Sequence, residues 1–392
     1  MFKTNTIRYY DEPPNYEVFL RDHLIPNQPA IFGPALTAHW KARSEWVIPN
    51  NDPNDKDDLC PRYIPDFQAL RDRYGKAKVQ VADCIDRDFT DQRRSEMSFE
   101  DFAQLWQHDQ TASRYYLKDW HFVHSCPGYE AYQVPDIFAD DWLNEYWPGK
   151  DDGSDDYRFA YMGGHNTYTP FHADVYRSYS WSSNICGIKK WTMFPPNQEH
   201  LFKDKLGNMV YDIRNVDPIQ FPDFQKAQRI VIYQRDGETL FVPSGWFHQV
   251  ENIGATISIN HNWTNACNIV QSYRSLETDL EDVREAIEDV QETSTPMEFT
   301  ETCQRLLLVH SGWDWAVFVQ LLLCIVRRLL KKTVSSLLQP DVAWQGHQIK
   351  EALEKLKREP FIQEYLQQRG LAEEFEQLLQ SVDSICSDKY QP

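Results

Sequence analysis

The chain has 392 residues, 41% hydrophobic and 14% aromatic with 13 Trp, enough for a sizeable core in one large or two ordinary domains. Its formal charge of −19 excludes a general nucleic-acid binder, which requires a basic face. The charge favours a basic partner or a cationic substrate side chain, against the ordinary alternative of a uniformly solvated acidic surface.

The N-terminus Met-Phe-Lys-Thr-Asn-Thr-Ile-Arg has no apolar leader. Eight cysteines occur without a C-x-x-C pair, so no zinc ribbon or dense disulfide frame is expected; the default setting is reducing, cytosolic or nuclear, with the cytoplasm preferred. Residues 1–150 read as a mixed α/β elaboration. It holds a helix over 65–74, a strand over 78–82, a helix capped by Ser98 with Asp101 three on, and a strand over 115–119. Acidic runs at 51–58 and 151–156 read as loops; one of them is expected to attract a basic substrate surface.

Residues 151–268 alternate between short strands and turn signals. Strands are expected at 157–162, 179–186, 189–194, 239–242, 246–250 and 255–263, with Gly187-Ile188 a tight turn and Pro195-Pro196 a stop. Short strands without long helices between them predict an antiparallel jelly roll, a cupin-type double-stranded β-helix. The fold class is thus mainly β with α. From 269 to 392 the pattern becomes helical. Leu276, Leu280, Val283, Ile287 and Val290 form an apolar stripe, expected to pack on the barrel in preference to a dimer seam. Helices are expected at 297–310, 313–338, 345–358 and 360–380. The apolar run 313–326 contains Asp314 and Gln320 and is too short to span a bilayer, so it reads as a buried helix. Monomer and dimer both stay open.

Chemistry concentrates at 168–196. His172 and Asp174 are two apart, so on a strand they leave one face together. With His248, which follows the Pro243-Ser-Gly-Trp-Phe turn, they make a 2-His-1-carboxylate set, the donor set of non-haem Fe(II) oxygenases. Such a centre keeps three positions open for a chelating 2-oxoacid and O2. The 2-oxoacid's distal carboxylate, once buried, needs a cation and hydrogen-bond donors. Lys189 and Thr169 fit that need, with Tyr161 and Asn260 as further partners. Each has an ordinary alternative: a core histidine, a turn carboxylate, a snorkelling lysine, a strand-bridging asparagine. His121, His124 and His165 form no ligand set, and His261 faces away from Asn260. Tyr176, Tyr179 and Trp181 line either the substrate cleft or the barrel core.

His172-x-Asp174, Thr169, the Gly187-x-Lys-Lys-Trp-x-x-Phe-Pro-Pro run, Val242-Pro-Ser-Gly-Trp-x-His248 and Asn260-His-Asn-Trp263 together resemble the JmjC family of Fe(II)/2-oxoglutarate oxygenases. The resemblance implies that His172, Asp174 and His248 hold iron, and that Lys189, helped by Thr169, pairs with the C5 carboxylate of 2-oxoglutarate. Many relatives carry an asparagine after the first strand that contacts the co-substrate; here Ser182 or Asn184 takes its place, and Tyr161 stands for the tyrosine some relatives use. The segment from His172 to Gly187 is most similar to the branch that hydroxylates a lysyl side chain of a translation termination release factor. That likeness implies a protein substrate, with ascorbate as a supporting reductant. An N-methyl-lysine demethylase and an inactive cupin binding module are the rival readings.

Overall fold

The computed structural model describes residues 7–51, 60–150, 156–331 and 337–387. The acidic runs at 52–58 and 151–155 lie outside the described residues.

Thirteen strands run in chain order among the described residues: β1 (Arg8–Tyr10), β2 (Ala30–Phe32), β3 (Val47–Pro49), β4 (Tyr63–Pro65), β5 (Lys78–Asp88), β6 (Asp91–Ser98), β7 (Tyr115–Trp120), β8 (Arg158–Gly163), β9 (Tyr168–His172), β10 (Tyr179–Phe194), β11 (Ile230–Gln234), β12 (Thr239–Val242) and β13 (Phe247–Trp263). One path joins β1-β2-β12-β10-β13-β8-β7-β5-β6, while β11 pairs with β10 and β9 with β13. The long strands β10 and β13 make this a jelly roll because each changes partners along its length. Residues 180–183 of β10 pair with β12, and 189–193 with β11. Residues 248–251 of β13 pair with β9, and 256–261 with β8. A strand that serves two sheets must bend between them, and bulges supply the bend.

Two expectations are corrected here. Gly187 is not a turn between separate strands, and β13 is not split after 250. The register shifts on both sides of Cys186, and Gly187 takes φ 75° inside one continuous strand. A Cβ there would lie 2.5 Å from the Thr256 Oγ1, so the bend requires glycine. Gly237 (φ 80°) turns the chain between β11 and β12 as expected.

Strands on both sides of residue 150 share one sheet, and one apolar cluster joins Phe19, Phe32 and Trp46 to Trp181, Ile257 and Trp263. Tyr179 and Trp181 are wholly buried in that cluster, which places them in the core and not in a substrate cleft. The Ser98 hydroxyl accepts the Asp101 N–H and caps the helix Phe99–Gln107, as its spacing predicts.

The C-terminal helices have their own core, which also takes in Trp142, Trp147 and Tyr176. Leu276, Leu280 and Val283 of the helix Ile269–Ala286 are buried in it among the helices Pro296–Ser311 and Val342–Leu356, and the same helix meets the turn Val175–Arg177 that follows β9. The expected helix over 360–380 is two, Ile362–Gln368 and Ala372–Ser387, separated at Gly370 (φ 70°). The helix Trp315–Leu330 is the buried apolar one. No single helix among the described residues is long and apolar enough to cross a membrane.

Candidate metal centre

His172, Asp174 and His248 offer ligand atoms within 4.8 Å of one another. The histidines are direct cross-strand partners of β9 and β13, with ring centroids 4.4 Å apart. His172 is the last residue of β9, so Asp174 is not on the strand, as its spacing suggested; it sits where the chain enters the turn Val175–Arg177.

Each ring is oriented by its own backbone. His172 Nδ1 donates to the Pro170 carbonyl (2.8 Å) and His248 Nδ1 to the Trp246 carbonyl (2.9 Å). A carbonyl only accepts, so Nδ1 carries the proton and the Nε2 lone pair is left for a metal. Burial, with His248 alongside, pushes His172 down to about 4, so it is neutral at neutral pH. Asp174 Oδ2 accepts from Ser180 Oγ on β10 (2.7 Å), which orients the carboxylate. Two imidazoles with Nε2 turned from their backbone partners, clustered with one carboxylate, fit a divalent iron with open positions.

Lys189 lies in the second half of β10, 2% exposed. Its Nζ donates to the Tyr116 hydroxyl (3.2 Å) and faces the rings of Tyr116 and Tyr161 at 5.9 and 5.8 Å. Burial, and then the charge of Lys118, push it down to about 7. A buried lysine with no carboxylate partner among the described residues fits a pocket for an anionic group. Thr169 and Asn252 lie beside the Tyr116 hydroxyl.

The remaining expected residues divide. Tyr161 lines the cavity, but its hydroxyl donates to Asp119 (2.5 Å), and the tyrosine hydroxyl on Lys189 belongs to Tyr116. Ser182 and Asn260 satisfy each other, Ser182 Oγ donating to Asn260 Oδ1 at 3.0 Å. Asn184 is spent on the β10 bulge, donating to the Gly187 carbonyl at 2.6 Å.

The cavity measures about 640 Å³, and its walls include Thr169, His172, Asp174, Tyr161 and Tyr176. Three residues escaped sequence reasoning: Lys118 and His121 in the cavity wall, and Tyr116, whose hydroxyl accepts from Lys189. Tyr116 and Lys118 alternate on β7, and the left-handed Asp119 (φ 53°) lies in a register irregularity that lets Asp119 join Lys118 in the cavity wall. Lys118 is 4% exposed and donates to the Gln92 amide oxygen (3.2 Å), and burial lowers its pKa against the opposing charge of Asp119. The signal available was Tyr115-Tyr-Leu-Lys-Asp119, a strand with a charged pair at its end. His121, assigned to surface or core, lines the same cavity beside Asp156.

A bulged two-sheet barrel with two histidines, one carboxylate and a buried lysine defines a class, and the chain belongs to it: the cupin-like JmjC family of iron- and 2-oxoglutarate-dependent oxygenases. The family described as Cupin-like domain matches residues 16–269. The chain is 43% identical to the Arginine-specific demethylase JMJ20 of Arabidopsis thaliana, over 76% of this chain and 65% of that protein. It is 38% identical to the 2-oxoglutarate and iron-dependent oxygenase JMJD4 of Danio rerio (84% of this chain, 77% of the relative). To the Homo sapiens protein of the same name it is 37% identical (81% and 74%).

Proposed function

We propose that this protein hydroxylates a lysyl side chain of a protein, in a translation termination release factor of the cytoplasm, using Fe(II), 2-oxoglutarate and O2, with ascorbate as supporting reductant. One observation carries the reading: the His172–Asp174–His248 cluster stands with a buried, carboxylate-free lysine, Lys189. The lysyl target is supported by the likeness of the segment from His172 to Gly187 to the lysyl-hydroxylating branch.

When bound, iron and 2-oxoglutarate supply the oxidising power that places one oxygen atom of O2 in a C–H bond, with release of succinate and carbon dioxide. His172 and His248 hold the metal through Nε2, and Asp174 adds the negative charge. Lys189 neutralises the distal carboxylate, with the hydroxyls of Tyr116 and Thr169 as further donors. An arriving carboxylate draws Lys189 back to its charged form, so co-substrate binding takes up a proton as pH rises above 7.

A second reading, removal of an N-methyl group, is favoured by the name of the Arabidopsis relative. Incubation of the protein with Fe(II), 2-oxoglutarate and the release factor, followed by mass spectrometry of tryptic peptides, separates the readings. Gain of one oxygen on a lysine supports the proposal; loss of a methylene from a methylated residue supports the second reading. No change in either supports an inactive binding module.

A further inference from the structure

The hairpin of β5 and β6 reaches the metal-site cavity with its tip. Asp88 pairs with Asp91, so Phe89 and Thr90 form a two-residue turn. Thr90, Asp91 and Arg94 line the cavity, and all three are also exposed, which places the tip at its mouth. The residue at the turn conflicts with its own backbone. Phe89 takes φ 55°, a region that Gly, Asn and Asp enter at least cost and a bulky aromatic seldom enters. It is 96% exposed, so packing within the described residues offsets neither that strain nor the wetting of the ring.

The charges around the tip are already engaged. Arg114 pairs with Asp83 and Asp86, Arg93 with Asp86 (3.5 Å) and Asp88 (3.2 Å), and Arg94 with Asp91 (3.1 Å). Arg87 lies over the Tyr211 ring at 5.0 Å and braces the hairpin against the loop that follows β10. The surface left without a partner is therefore apolar. Ile85 on the same hairpin is 70% exposed, and Val175, 51% exposed, lines the cavity next in sequence to Asp174.

We infer that the Phe89 tip, with Val175 at the rim, is a docking surface for a polypeptide substrate, which seats there an apolar side chain flanking the modified residue. The inference rests on the proposed reading that the substrate is a protein. Continuity with the cavity selects that occupant. A chain that delivers one side chain to the metal crosses the rim that Thr90 and Asp91 help to form, and its neighbouring residues meet the tip. A second copy of this chain or a lipid surface would also cover an apolar tip, but neither needs that tip to adjoin the metal site.

The test uses the full chain with Mn(II) in place of iron and 2-oxoglutarate present, so that nothing turns over. The probe is a display library of random twelve-residue peptides with every position varied. Selection is expected to enrich an aromatic or aliphatic residue at a fixed distance from one common residue. Phe89→Asn suits the left-handed turn and removes the ring. It is expected to keep or raise the thermal midpoint and to abolish the apolar enrichment, while Phe89→Leu retains most of it. A synthetic peptide from the selection is then compared with its copy carrying Ser at the apolar position. It is expected to bind the unaltered protein about 10- to 100-fold tighter than the copy, and Phe89→Asn equally with the copy. No apolar enrichment, the same enrichment with Phe89→Asn, or a thermal midpoint lowered by both Phe89→Asn and Phe89→Gly overturns the inference. So does self-association in sedimentation, or binding to phosphatidylcholine–phosphatidylserine vesicles, that Phe89→Asn abolishes. A common residue other than lysine leaves the docking surface standing and removes the lysyl reading. Hydroxylation of a release-factor lysine without any flanking preference does the reverse.

Discussion

The two histidines and the carboxylate of the metal centre are held by different means. His172 and His248 face each other across β9 and β13, each tied to its own backbone, with Phe171 of β9, Phe247 of β13, Phe194 of β10 and Phe202 beyond β10 packed together. Asp174 lies past the strand end, before two non-glycine residues in the left-handed region, Tyr176 (φ 56°) and Arg177 (φ 47°). Such backbone persists only where the surroundings over-determine it. Here Tyr176 packs 4.2 Å from Trp313 and shares a 2.6 Å hydrogen bond with the Tyr157 hydroxyl, while Ser244 Oγ donates to the Arg177 carbonyl. The histidines belong to the barrel; the carboxylate belongs to the seam between barrel and C-terminal helices.

Removing a ligand comes first in size, because it erases the comparison. His248→Ala, His172→Ala and Asp174→Ala are each expected to lower iron affinity by more than about 100-fold, beyond the loss from an outer partner. Equilibrium dialysis with metal analysis reads this, and retention of iron by any one variant breaks the triad.

Lys189→Ala comes next and leaves the metal in place. Truncating one partner of a buried charge pair costs about 2–5 kcal/mol, so the KM for 2-oxoglutarate is expected to rise about 30-fold or more. In the unaltered protein the free lysine titrates at about 7 and the bound one higher. Co-substrate affinity is therefore full below pH 7 and falls by up to about tenfold per pH unit above it. A pH-independent dissociation constant between pH 6 and 9 would remove Lys189 from the site.

Ser180→Ala sharpens the comparison itself. It takes a donor from Asp174 and touches neither histidine, whose partners are backbone carbonyls beyond the reach of side-chain substitution. Iron affinity is expected to fall about 10- to 100-fold with the thermal midpoint little changed. An unchanged affinity would show that the seam alone orients the carboxylate.

The same division explains what could be read from the chain. His172, Asp174, His248 and Lys189 were legible because metal and carboxylate chemistry restrict residue type, although Asp174 lies beyond the strand that its spacing assumed. The jelly roll was legible from alternation and turn residues. Gly187 misled because a positive-φ glycine marks a bulge and a hairpin alike, and only the pairing of Cys186 with Ile257 across β13 decides between them. Tyr116 and Lys118 were hidden because β7 reaches Lys189 and the cavity through sheet order, β13-β8-β7, which no local pattern encodes. Tyr176 was ambiguous for the related reason that its partner, Trp313, arrives from the C-terminal region, whose core takes in Tyr176.

The smallest effect tests the seam most directly. Gly312 ends the helix Pro296–Ser311 at φ 78°, and a Cβ on it would lie 2.8 Å from the Tyr176 hydroxyl. Gly370 has nearly the same backbone, φ 70°, with nothing within 4 Å of its Cβ position. Alanine at either site bears the left-handed penalty of about 1–2 kcal/mol. Only Gly312→Ala also pushes on Tyr176 and, through the strained turn, on Asp174. The two variants are thus expected to lose similar stability in thermal unfolding, while Gly312→Ala alone lowers iron affinity, by a few-fold. Equal iron affinities in the two would mean that the turn after Asp174 is rigid without the helices, and that the carboxylate is as much the barrel's own as the histidines are.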